Sequence, residues 1–226
     1  MTADIPTLQE AYAHLPFSPQ AWNQLFERYA EKHRHYHNLA HVLDCLDQLQ
    51  QHRPGHSALQ AAIWFHDVIY SPTSSRNEEA SGELFLQLVG TSAPEQWCRW
   101  VHLLILATKH GANLVQTTLS PEQQQEQDLL LDIDLSILAS QPSRYDQYES
   151  QIRAEYGWVP WFLYRKKRRQ ILQHFLELAE QGCLFRTPFY RNQHSAAQEN
   201  LRRTLNIQKP SAQQEGTGTG ADKGKE

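Results

Sequence analysis

Cysteine is scarce in this 226-residue chain: Cys45, Cys98 and Cys183 are far apart, odd in number and in no Cys-x-x-Cys spacing. A disulfide-stapled scaffold is excluded, and a reducing compartment with three free core thiols is the natural reading. Long hydrophobic runs are missing too. No window approaches the uninterrupted apolar length a membrane span needs, and MTADIPTLQEAY has no basic segment followed by an apolar one, as a signal peptide would. The expectation is a soluble, cytoplasmic protein with no membrane partner. Nor is there an excess of positive charge: a net charge of −4 and a pI near 6.3 argue against a nucleic-acid binder. Strand-like alternation bounded by turns is absent as well.

What is present is helical periodicity, with 40% hydrophobic residues, enough to bury a sizeable core in one domain. Ser18-Pro19 reads as a cap plus first-turn proline opening a helix with Trp22, Leu25, Phe26 and Tyr29 on one face. Asn38 caps the next helix, broken at residues 53–56, and Ser57 is expected to cap the helix that carries His66 and Asp67. Helices are expected over 76–89, from Pro94 to a stop at Gly111, from Ser120-Pro121 through DLLLDIDLSILA, and over 143–156, 160–181 and 193–204. The fold class is therefore all-α: a single domain over 1–208 and a polar, Gly-rich tail over 209–226 that cannot bury apolar area and is expected to be disordered.

Against this apolar pattern, a few polar residues stand out. His66 and Asp67 sit side by side inside AAIWFHDVIY, an otherwise almost wholly apolar run. Neighbours on a helix point about 100° apart, so both can serve one point only if it lies close against the helix. A buried ionised Asp costs several kcal/mol unless a cation or hydrogen bonds compensate it. Upstream, HRHYHNLAH places His37 and His41 four residues apart on one helix face. Downstream, LLLDIDLSILA places two carboxylates in an apolar run; Asp132 reads as a capping or solvent-facing residue and Asp134 as a ligand. The tryptophans, Trp158 and Trp161 among them, read as core or pocket wall.

The order His41, His66-Asp67, Asp134 on separate helices resembles the HD superfamily of metal-dependent phosphohydrolases, and HYHNLAHV, WFHDVIY, NEEAS, LILATKH, LDIDLSIL and EYGWVPWFLYRKKR are similar in order to a bacterial subgroup of it. The resemblance implies an HD-type helical bundle with a metal site between core helices. Its ligands would be His41, His66, Asp67 and Asp134, holding one or two divalent ions (Mn, Fe, Co, Ni, Zn or Mg). YHNLAH also resembles the Tyr-His-Asn-x-x-His signature of class I cyclic-nucleotide phosphodiesterases, which implies His37 as general acid or phosphate contact. The chain is shorter than those enzymes and lacks their downstream glutamine setting, so cyclic-nucleotide specificity does not carry over.

Two imidazoles and two carboxylates suit such an ion and leave positions open for water and substrate. The expected reaction is hydrolysis of a small phosphate ester or nucleotide-like metabolite by metal-bound hydroxide. Asp67 can take a proton or bridge a second ion, and Glu78 or Glu79 can orient water. Lys109, His110 and Arg165 are candidate phosphate contacts, the arginine because its fork makes two parallel hydrogen bonds. Homodimerisation stays open. Two alternatives remain: a non-enzymatic metal-containing nucleotide sensor or regulator, and a di-iron oxygenase. The second would need two further histidines, and His102 and His110 lie about 12 Å apart along one helix.

Overall fold

The computed structural model describes residues 5–109 and 119–206; His110, the expected stop at Gly111 and the tail from 209 lie outside the described residues. Among the described residues there are helices and no strands. In chain order these are α1 (Ile5–Ala11), α2 (Pro19–Tyr29), α3 (Leu39–His52), α4 (Ser57–Phe65), α5 (Asn77–Val89), α6 (Glu95–Ala107), α7 (Pro121–Leu135), α8 (Pro142–Glu155), α9 (Trp161–Glu180), α10 (Pro188–Arg191) and α11 (His194–Leu205), with a 3-10 turn at Ser136–Ala139 after α7. The all-α class expected from the sequence is the class observed.

Caps explain where several of these helices begin. Ser18 accepts from the Ala21 amide, Asn38 from the Ala40 amide, and Ser120 forms a full capping box with Gln123. The expected Ser57 cap is one residue late: His56 caps α4 through its own ring, accepting from the Leu59 amide. That histidine is fixed from its other side by Glu126, which also takes the indole N–H of Trp100. The short α1 and α10, of seven and four residues, were not anticipated. Gly182, at φ +70, ends α9 in the left-handed conformation that glycine tolerates best.

α4 is the hub. Every residue from Ala58 to Phe65 is buried, so the helix is apolar nearly all round, as a fully enclosed helix must be. It packs against α3, α5, α6 and α7. Trp64, fully buried, meets Tyr12, Trp22 and Phe26 edge-on, and its carbonyl accepts from the Tyr29 hydroxyl. A helix enclosed on all sides delivers the residues just past its last turn into the interior, and here those residues are His66 and Asp67. α5 approaches α6 closely at Gly82, where a Cβ would come within 2.7 Å of the His102 ring.

Three expectations about placement are corrected. Cys45 and Cys98 are buried free thiols, but Cys183 is exposed in the turn after α9. Trp161 is 59% exposed at the start of α9, in neither the core nor a cavity wall, whereas Trp158, though 65% exposed, does line a cavity. Asp132 is not solvent-facing but fully buried; its carboxylate accepts from the Arg186 and Thr187 amides and the Thr187 hydroxyl, so it anchors the segment leading into α10.

Candidate metal centre

α4 ends at Phe65. His66 is its C-cap, with its amide still bonded to the Ala62 carbonyl, and Asp67 lies in the turn beyond. Leaving the helix frees Asp67 from the 100° offset that separates helical neighbours. The turn is held by Arg34, which is 5% exposed and donates to the Asp67 carbonyl at 2.6 Å, the Val68 carbonyl at 2.8 Å and the His37 carbonyl at 3.0 Å. Ser81 on α5 closes it from the other side by accepting the Ile69 amide. An arginine buried to satisfy carbonyls had no signal in the sequence beyond its place in a polar stretch.

The four side chains converge. His41 on α3 and His66 are 4% and 3% exposed, and their Nε2 atoms are 3.2 Å apart. Asp134, in the last turn of α7, puts Oδ1 3.2 Å from His41 Nε2 and 3.6 Å from His66 Nε2. Asp67 Oδ2 is 3.1 Å from His66 Nε2 and 3.8 Å from His41 Nε2. His41, His66 and Asp134 alone bring ligand atoms within 4.8 Å of one another. Asp132 and Asp134 are about 200° apart around α7, which is why one anchors a loop while the other faces this cluster.

The donor set fits a divalent cation. His66 Nδ1–H donates to the Ile63 carbonyl at 2.8 Å, which fixes the tautomer and leaves Nε2 as an unprotonated donor toward the cluster. Ligand atoms about 2.1 Å from one ion and at right angles or tetrahedral lie about 3.0–3.4 Å from each other, close to the spacings here. Without a cation, the cluster would satisfy itself with protons. Burial works against a charged His66, but Asp67 and Asp134 outweigh it and hold its pKa well above the ordinary value. Burial likewise works against an ionised Asp67, but His66, His37 and His41 pull its pKa below the ordinary carboxylate range. Two nearly buried carboxylates aimed at two imidazoles call for positive charge at their centre.

Beside the cluster stands a second constellation. Glu155, at the last position of α8 and 3% exposed, accepts the amides of His35, Tyr36 and His37 at one oxygen. Its other oxygen takes His37 Nδ1–H at 2.7 Å and the Tyr70 hydroxyl at 2.8 Å. His37 stacks on Tyr70 with ring centroids 4.3 Å apart. Burial disfavours a protonated His37, yet Asp67 and the Glu155 bond together raise its pKa. Glu155 was missed in the sequence, although Tyr148, Ile152 and Glu155 form one helical stripe on which a carboxylate interrupts buried apolar residues.

The ionisation of Glu155 also makes stability depend on pH. Burial would raise its pKa, but the His37 and backbone hydrogen bonds lower it from 4.5 to about 2. Because the folded value lies below the unfolded one, the stabilisation is complete above the unfolded value and is lost as pH falls through the folded one. Urea midpoints measured against pH should therefore decline between about pH 4.5 and about pH 2. The decline should be shallower in Glu155→Gln, and an equally steep one there would refute the assignment.

The remaining candidates are placed unevenly. His37, His66, Asp67, Glu78 and Asp134 line one cavity of about 780 Å³. Lys109 does not line it; its ammonium is bound to Glu79 and to the Ser75 carbonyl, an ion pair that joins α5 to the end of α6. Arg165 is exposed on the far side of α9, because the cavity-facing stripe of that helix instead carries Tyr164, Lys167 and Arg168. Arg168 is already paired with Glu149 and the Tyr148 hydroxyl. His102 packs against Gly82, on the α5–α6 contact. Comparison with protein-family models, curated proteins and solved structures gives no match to this chain.

Proposed function

We propose that this protein is a metal-dependent phosphohydrolase of the HD type, acting in the cytoplasm on a phosphate ester. The convergence of His41, His66, Asp67 and Asp134 within 3.1–3.8 Å at the end of a wholly buried helix carries the reading. Those four residues would hold a divalent cation such as Mn²⁺, which when bound would supply a Lewis acid for a phosphoryl oxygen and lower the pKa of a water. The protein contributes the rest. His37, whose Nδ1 is hydrogen-bonded to Glu155, would in its charged form give the Nε2 proton to the leaving oxygen. Tyr70 holds that imidazole flat, and Arg34 fixes the backbone on which Asp67 is carried. Glu78, on the cavity wall, orients the attacking water.

The test is turnover of generic phosphomonoesters and phosphodiesters by protein supplied in turn with Mn²⁺, Fe²⁺, Co²⁺, Ni²⁺, Zn²⁺ and Mg²⁺. Hydrolysis that EDTA abolishes and a divalent ion restores is expected, with His37→Ala losing about 100-fold or more in kcat. Metal-loaded protein that binds nucleotides but turns over no ester would point to the sensor alternative.

A further inference from the structure

The cavity extends far past the metal ligands. A volume of about 780 Å³ is in the range that holds a drug-sized molecule, several times what a phosphoryl group fills. Its outer half is built by the end of α8, the turn after it and one face of α9. Leu163, Lys167 and Ile171 succeed one another at i, i+4 and i+8 along that face, and Ile152 and Val159 line the same cavity. Lys167 is exposed as well as cavity-lining.

This half of the cavity is uncovered. Leu163 and Ile171 on α9 and Trp158 in the turn before it are 47%, 46% and 65% exposed, although each lines the cavity. Clustered apolar exposure of this kind marks a surface that another group covers. Here the surface runs without interruption into the cavity that holds His66, Asp67 and Asp134, so the group that covers it can belong to the molecule whose phosphate reaches them. The walls of this half are mainly aliphatic and aromatic, with Lys167, Gln170 and His174 as polar members and Arg168 already paired to Glu149, so an apolar group finds the longer run of matching contacts along Trp158, Leu163 and Ile171.

Resting on the phosphohydrolase reading, we infer that the substrate is an amphiphile: a phosphate ester of a bulky, chiefly apolar alkyl or aryl alcohol, its apolar part lying along Trp158, Leu163 and Ile171. Hydrolysis would release inorganic phosphate or a phosphomonoester, and the apolar alcohol would take the proton from His37.

Calorimetric titration with ethyl, butyl, hexyl and octyl phosphonate, each below its micelle concentration and with Mn²⁺ present, tests the inference without needing turnover. Kd should tighten about 3- to 4-fold for each methylene that enters the groove. Leu163→Asn and Ile171→Asn, neutral changes at half-exposed positions, should flatten that trend while leaving Tm and ethyl phosphonate binding unchanged. Equal Kd for ethyl and octyl phosphonate, or a chain-length trend that survives both substitutions, would overturn the inference. So would adenosine monophosphate binding more tightly than octyl phosphonate. A chain-length trend with no dependence on Mn²⁺ would support the apolar subsite and count against the metal-dependent reading of the site instead.

Discussion

Asp134→Ala should weaken Mn²⁺ binding by more than about 100-fold and lower kcat/KM at least about 1,000-fold. The first figure comes from position. Loss of a partner that only orients a metal ligand costs about 10- to 100-fold in affinity, and Asp134 is itself one of the converging groups, 3.2 Å from His41 Nε2. The second comes from the chemistry: a cation contributes several kcal/mol to phosphoryl transfer, and about 1.4 kcal/mol is a tenfold change in rate. The change in Tm on adding Mn²⁺ separates a metal site from a structural ion-pair cluster. The unaltered protein should gain thermal stability from the ion and the variant should not. A variant that gains as much would mean that Asp134 serves only the histidines beside it. Differential scanning in EDTA and in Mn²⁺, beside calorimetric titration of the ion, gives both readings.

Glu155→Ala should have a different profile, a large loss of stability with the metal ligands intact. Its carboxylate satisfies three backbone amides, the His37 imidazole and the Tyr70 hydroxyl at once. Breaking a buried charged group out of such a network costs about 3–5 kcal/mol. In a chain of this size that corresponds to roughly a 10 °C fall in Tm. Glu155→Gln keeps one acceptor oxygen and should fall by less than half as much. A drop in the alanine variant of under about 1 kcal/mol, measured by urea denaturation, would mean that the segment from His35 to His37 is held by something else.

The sequence made the helices legible because apolar spacing and caps are local signals. Ser18, Asn38 and Ser120 each announced a helix start that the structure keeps. It also made the His/Asp cluster legible, because a histidine or carboxylate inside an apolar run has few places to go. The positioning groups were less legible. Arg34 and Glu155 act on residues 33 and more than 115 positions away in the chain, and no local pattern encodes such a pairing. The basic run of α9 misled for the reverse reason. Six consecutive residues pass all around a helix, so choosing Arg165 over Lys167 requires knowing which side of α9 packs on α11. Lys109 looked free in the sequence, and its partner Glu79 came into reach only when α5 folded onto α6.

Elemental analysis of protein purified without chelators, run beside His66→Ala, addresses the cation site most directly. At least about one transition-metal or magnesium ion per chain is expected in the unaltered protein, and close to none in the variant, with the far-UV helical signal of the two superimposable. Unaltered protein that carries no divalent ion and gains no thermal stability from saturating Mn²⁺ would contradict the account, as would equal metal content in the two proteins.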